Sequence, residues 1–142
     1  MTQQALIAAA KAPIRAYNKK NWEAVRAAVT PGFVYDEVAS QRTVQGLTDV
    51  LRVWQEWARA LPDSQATFDH ALVSGHTVVL EVTWRGTHTG PLQTAAGAEI
   101  GPTGKPIKIR ACQVMTVGRG KVRGMRHYFD MATLLQQLGV MS

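Results

Sequence analysis

IKIRACQVMTVGRGKVRGMRHYFD, residues 107–130, is the most informative part of the sequence. Apolar residues alternate with Lys, Arg and other polar groups on both sides of Arg119-Gly120, the pattern of two half-buried strands joined by a tight turn. Two registers are open to this hairpin, and each sends different side chains to each face. With Gly118 opposite Val122, Met115 faces Met125, Gln113 faces His127 and Ala111 faces Phe129. Ile109, Met115, Val117, Met125 and Phe129 then share one face, while Lys108, Arg110, Arg126, Tyr128 and Asp130 share the other. A slip by one residue mixes apolar and charged groups on both faces, so the first register is expected. It places a polar pair, Gln113 and His127, in the middle of an apolar sheet face.

Upstream, Val78, Leu80, Val82, Trp84, Gly86 and His88 alternate with Glu81, Thr83, Arg85, Thr87 and Thr89, a clear amphipathic strand. Ala66, Phe68, His70 and Leu72 share one face of the strand before it, and Ser74-Gly75 turns the chain. Gly90 to Pro106 holds four glycines and three prolines, so it is read as a loop, with Leu92 and Ile100 available to tuck onto the body. The first half has helical spacing instead. Leu6, Ile7, Ala10, Ile14 and Tyr17 form one stripe over residues 3–17, with Pro13 expected to kink or divide the helix. Asn21 is a plausible cap for a helix from Trp22 to Val29, a strand begins at Phe33, and a third helix runs from Thr48 or Asp49 to Leu61. Asp130 caps a final short helix that Gly139 ends. Helices followed by antiparallel strands and a short helix make an α+β domain, expected to be one domain over 1–142.

Composition excludes several classes. At 46% apolar and 18% charged residues, the chain has the balance of a folded domain. Its single cysteine, Cys112, rules out an internal disulfide or a multi-cysteine zinc site. No apolar run approaches a membrane span, and the opening Met-Thr-Gln-Gln lacks a basic n-region, so a soluble cytoplasmic protein is expected. The net charge of +6 is local: seven of the sixteen Lys and Arg lie between Lys105 and Arg126. They alternate with apolar residues as a wet strand face does, and no nucleic-acid motif accompanies them, so no nucleic-acid partner is expected.

His127 has two readings. It is either a core histidine satisfied by the Gln113 amide, or a neutral base whose pKa falls because it sits in an apolar pocket. His88 shares the Trp84 and Val82 parity and is expected to line the same concavity, with a weaker claim for His70. These histidines lack short-spaced ligand pairs, so no metal is expected. Asp130 reads as a helix cap or ion-pair partner before it reads as an acid. Asp36, at the end of the first strand, either faces a cavity mouth or faces solvent. Trp54, Trp57 and Trp84 read as core and pocket wall, and Cys112 falls on the face opposite His127.

Gly86-Thr-His-Thr-Gly90, Pro102-Thr-Gly-Lys-Pro106, Val117-Gly-Arg-Gly-Lys-Val122 and Asp130-Met-Ala-Thr-Leu-Leu-Gln-Gln-Leu-Gly139 occur in that order, with Leu61-Pro-Asp63 ahead of them. In these segments the chain resembles the SnoaL-like polyketide cyclases of the nuclear transport factor 2-like superfamily. The resemblance implies a cone-shaped α+β fold, a curved antiparallel sheet against N-terminal helices, and a homodimer through the open sheet face. It implies an intramolecular aldol reaction without metal or cofactor, run by an aspartate on the last strand and a histidine on the strand before. Those positions are His127 and Gln113 here. Steroid isomerases of this fold use a helix-one tyrosine with carboxylates, which Tyr17 and Asp36 would partly match. Epoxide hydrolysis would need an Asp-Arg-Asp set, for which no convincing match is found.

The expectation is therefore a cofactor-free enzyme doing acid/base chemistry on a hydrophobic carbonyl compound. His127 is the acid/base, Gln113 its polar partner and His88 an orienting donor. Tyr17, Asp36, Trp54, Trp84, Met115, Met125 and Phe129 are expected to line the substrate site. The alternatives are a non-catalytic small-molecule-binding domain, or an isomerase or epoxide hydrolase of the same fold.

Overall fold

A computed structural model of the chain describes residues 1–94 and 97–141. Helix α1 (Gln3–Asn18) is capped by the Thr2 hydroxyl and buries Leu6, Ala10, Ile14 and Tyr17, the stripe its spacing dictates. Pro13 does not divide it: the ring is itself buried, and its packing offsets the missing backbone donor. Helix α2 (Trp22–Ala28) starts at Asn21, whose side chain accepts from the Ala24 amide. Strand β1 (Val29–Glu37) begins earlier than the sequence pattern shows. It is followed by a 3-10 turn (Val38–Ser40) and a short edge strand β2 (Arg42–Gln45) that the pattern does not reveal. Helix α3 (Leu47–Ala60) then buries Val50, Leu51, Val53 and Trp54.

Strands β3 (Gln65–Ser74) and β4 (Thr77–Thr87) follow, then a two-residue ladder of β5 (Leu92–Gln93) with β6 (Glu99–Ile100). Strands β7 (Pro106–Gly118) and β8 (Lys121–Phe129) lead to helix α4 (Met131–Gln137). The six-stranded sheet has the order β2-β1-β8-β7-β4-β3. The expected antiparallel sheet is corrected at one pair: β1 runs parallel to β8. A parallel neighbour needs a long crossover, and the chain between them supplies it. Helices α1 and α3 cover one face of the sheet, so the fold is α+β with helices against a curved sheet.

The hairpin takes the expected pairing over most of its length: Ala111 opposite Phe129, Gln113 opposite His127, Met115 opposite Met125. Near the turn, however, Val117 pairs with Val122 and Gly118 with Lys121, not Val122. Arg119 and Gly120 both have positive φ, 53° and 79°, as a two-residue hairpin turn with the right twist requires. That turn alone would slip every side chain beyond it to the wrong face. A bulge on β8 between Val122 and Gly124 absorbs the extra residue and restores the apolar face. A second bulge in β3 skips Asp69, so His70 and Leu72 leave the Ala66–Phe68 face and point outward. His70 there pairs with Glu81 at 3.3 Å on the exposed surface.

A second apolar cluster, including Leu61, Leu92, Ile107, Ile109, Leu134 and Leu138, joins α4 to the β5–β6 segment. Asp63 accepts from the Thr87 amide (2.7 Å) and hydroxyl (2.9 Å), which fixes the end of β4 to the α3–β3 turn. The amides of Thr89 and Gly90 both donate to the Ala60 carbonyl at 3.1 Å. A Cβ on Gly90 would run into the Arg59 carbonyl, so this close backbone approach requires glycine. No helix among the described residues is long and apolar enough to cross a membrane.

Gly90→Ala is expected to destabilise the fold by about 1–3 kcal/mol through overpacking against backbone that cannot move freely. Urea unfolding measures this; an unchanged midpoint would show that the segment yields.

Candidate active site

An apolar cavity of about 80 Å3 lies between the helices and the inner face of the sheet. Tyr17, Trp54, Trp84, Met125, His127 and Phe129 are among its walls, together with Tyr35, Trp57 and Ser64. The aromatic rings meet edge to face. Tyr17 lies 5.3 Å from Trp84 and 6.2 Å from Trp54, and Trp57 lies 6.0 Å from Phe129. His127 stands 5.0 Å from the Phe129 ring and brings the imidazole of β8 to this wall.

Behind His127 is a buried carboxylate. Glu37, 0% exposed, accepts at Oε1 from the Ser40 hydroxyl (2.5 Å) and Arg42 Nε (3.0 Å). Its Oε2 accepts from Trp57 Nε1 and the Tyr35 hydroxyl, each at 2.9 Å. Burial raises the Glu37 pKa, but these donors and the Arg42 charge outweigh it, so the carboxyl is held below its ordinary value and is ionised. Burial first, then the adjacent Glu37 charge and its hydrogen bond, push the Tyr35 hydroxyl well above 10.

These facts fix the protons. Tyr35 has one hydrogen, and Glu37 takes it, so the Tyr35 oxygen must accept in its 2.8 Å contact with His127 Nδ1. Nδ1 therefore carries the imidazole proton and Nε2 is a bare lone pair. Trp84 Nε1 donates to that lone pair at 3.3 Å, and the Gln113 amide lies 3.5 Å away. Burial pulls the His127 pKa down to about 4, with Glu37 partly opposing it, so the ring is neutral near pH 7.

Among the residues expected at the site, Tyr17, Trp54, Trp84, Met125 and Phe129 share the cavity wall with His127. Gln113 is fully buried beside the imidazole, not on the wall, and its Oε1 has no partner. Met115 is fully buried in the core and does not line the cavity.

His88 is also displaced from expectation. Strand β4 ends at Thr87, so its alternation no longer applies, and His88 anchors the following loop instead. Its amide donates to the Lys105 carbonyl (2.9 Å), its carbonyl accepts from Gly104 (2.7 Å), and its Nδ1 accepts from the Thr103 amide (3.2 Å). Burial lowers its pKa, partly offset by the Gly90 backbone.

Asp36 alternates to the opposite side of β1 from Tyr35 and lies outside the cavity. Asp130 caps α4, accepting from the Thr133 amide (3.0 Å) and hydroxyl (2.6 Å).

Glu37, whose carboxylate connects to His127 only through the Tyr35 hydroxyl, is not among the residues expected at the site, whereas its neighbour Asp36 is. The signal was strand parity: Phe33, Tyr35 and Glu37 fall at i, i+2 and i+4, so a carboxylate sits on the apolar side. Ser64 was missed because it lies in a turn. Its hydroxyl is 2.7 Å from Tyr17 Oη, and its carbonyl accepts from Lys20 Nζ at 2.5 Å. Burial pushes the Tyr17 hydroxyl up to about 12, with the Ser64 bond opposing. No group of three or more His, Cys, Asp or Glu among the described residues is placed to hold a metal ion.

A curved sheet with helices packed on one face, and an apolar cavity between them, defines the architecture of this α+β protein. The model of the SnoaL-like polyketide cyclases matches residues 7–138, and the chain belongs to that family. Its structure is similar to that of a protein from Jannaschia sp. CCS1 called a SnoaL-like polyketide cyclase (TM-score 0.85, 18% identity, 98% of this chain and 94% of that one). It is similar also to AclR from Streptomyces galilaeus, called a hydroxylase (0.82, 20%, 99% and 89%). A third is an LEH-like epoxide hydrolase from M. tuberculosis (0.73, 18%, 95% and 90%). At these identities the likeness is one of fold. No curated protein matches the sequence.

The depressed His127 pKa has a consequence for stability. As pH falls through 6.5 the unfolded chain takes up this proton, while the folded chain does not until about 4. Stability is therefore lost on acidification across that window, by about 3 kcal/mol. Urea unfolding as a function of pH should show this slope, and His127→Leu should make it shallower, leaving what His88 contributes in the same direction; an equal slope in the variant would contradict the assignment.

Proposed function

We propose that this protein is a cofactor-free acid/base enzyme acting on a hydrophobic carbonyl compound of polyketide type, with His127 as the base. The observation that carries the reading is a neutral imidazole with an unprotonated Nε2 on the wall of an otherwise apolar cavity. A carbonyl group entering beside it can take the Trp84 Nε1 hydrogen in place of Nε2. The freed lone pair then removes a proton from the carbon next to the carbonyl. The C–H electrons become the C=C bond of an enolate, and its charge rests on the oxygen that Trp84 faces. Aldol ring closure and isomerisation both begin with this step. The Gln113 amide nitrogen lies 3.5 Å from the same Nε2, and Tyr35 holds the imidazole from behind at Nδ1. Epoxide hydrolysis has less support, because neither Asp nor Arg is among the lining residues.

The second reading, a non-catalytic binding domain, draws on the same contacts. A ligand oxygen on Trp84 would be held with no proton leaving carbon. The homodimer belongs to this proposal too, through the outer sheet face, where Tyr128 is 42% and Leu72 62% exposed. Sedimentation as a monomer at all concentrations would remove it.

Exchange of the α-hydrogens of 1-tetralone in D2O, followed by proton NMR, isolates the proton-abstraction step. The protein is expected to accelerate it, and His127→Ala to lower the catalysed rate about 10²-fold or more with the fold retained. Equal exchange in the variant would contradict His127 as base. Binding of the ketone without exchange would favour the binding domain.

A further inference from the structure

We infer that Glu37 is a positioning residue for the proton step, acting on His127 through the Tyr35 hydroxyl. This rests on the reading of His127 as base. Carboxylates are rarely buried completely, because desolvation costs several kcal/mol per ion. Glu37 is nevertheless at 0% exposure, with both oxygens filled by donors from β1, the 3-10 turn, β2 and α3. A purely structural carboxylate would end at those donors. This one continues through Tyr35 to the Nδ1 of the one imidazole among the cavity's lining residues.

The chain of contacts does two things. It forces the hydrogen onto Nδ1, which leaves Nε2 as the lone pair that faces Trp84. It also gives the abstracted proton somewhere to go. As Nε2 gains hydrogen from substrate carbon, the Nδ1 hydrogen passes to the Tyr35 oxygen and the Tyr35 hydrogen to Glu37 Oε2. The products are a neutral imidazole protonated at Nε2, a neutral phenol and a protonated Glu37. The negative charge moves from the carboxylate to the enolate oxygen, and no imidazolium need form in an apolar site. Reversing the two transfers returns the proton to the product. The groups facing this chain are Tyr35 from β1, Arg42 from β2, Tyr17 from α1, and the uncharged Trp57, Trp84 and Gln113 from α3, β4 and β7.

The test that needs no substrate is 15N NMR of the histidine-labelled protein near neutral pH. Native His127 should show a protonated Nδ1 and an unprotonated Nε2, and the reverse tautomer in the native protein overturns the inference by itself. In Tyr35→Phe the Nδ1 hydrogen loses its acceptor while Trp84 still donates to Nε2, so the Nδ1–H signal should move and exchange faster with water; an Nδ1–H signal unchanged from native would also overturn the inference. With 1-tetralone in D2O, Glu37→Gln should lower the maximal exchange rate about 10²-fold with little change in KM. Native exchange by Glu37→Gln together with loss in His127→Ala would sink the relay and leave the base intact. Native exchange by His127→Ala would sink the base reading itself.

Discussion

A carboxylate without access to water governs this structure. Burying an ion costs several kcal/mol, and the cost is offset only if every lone pair finds a donor and an opposite charge lies close. Glu37 meets both conditions through Ser40, Arg42, Trp57 and Tyr35. Those partners come from four consecutive elements, so satisfying one side chain also fixes how β2 and α3 sit on β1. The short edge strand β2, whose residues alternate between half-buried and exposed, owes part of its position to Arg42.

The same carboxylate sets the character of the cavity. Its charge is spent on Arg42 and on neutral donors, so His127 is reached by a phenol rather than by the ion itself. Desolvation therefore dominates at His127, and the ring is neutral. At about 80 Å3 the cavity is smaller than the ~150 Å3 that holds benzene in an engineered core, so a polycyclic ligand must displace wall side chains to enter. The apolar rings select for shape, and polar contact is confined to few points: His127, the Trp84 and Trp57 indoles, and the Tyr17–Ser64 hydroxyl pair.

Much of this was legible in the sequence wherever two independent constraints agreed. In the β7–β8 hairpin, apolar alternation on both strands picked out one register, and Gln113 met His127 as that register demands. Where only one constraint was available, the reading slipped. The turn residues and the apolar faces of the hairpin ask for registers one residue apart, and only the bulge next to Arg123 reconciles them. Alternation in β3 breaks at the bulge around Asp69 and that in β4 ends at Thr87, so strand parity does not place His70 or His88. The alternation that starts at Phe33 puts Glu37, not Asp36, on the buried side, but this parity is decided only by the full length of β1 to Glu37. Glu37 also depends on Ser40, Arg42 and Trp57, whose convergence is a tertiary fact that no local spacing encodes.

The most direct measurement is a crystal structure of the protein soaked with 1-tetralone. The account predicts the ketone inside the cavity, its carbonyl oxygen within hydrogen-bond distance of Trp84 Nε1 and its α-carbon against His127 Nε2. The contacts from Nδ1 to Tyr35 and on to Glu37 should be unbroken. A ketone bound in the cavity with its carbonyl on the Tyr17–Ser64 hydroxyls and only ring carbons facing His127 would contradict it.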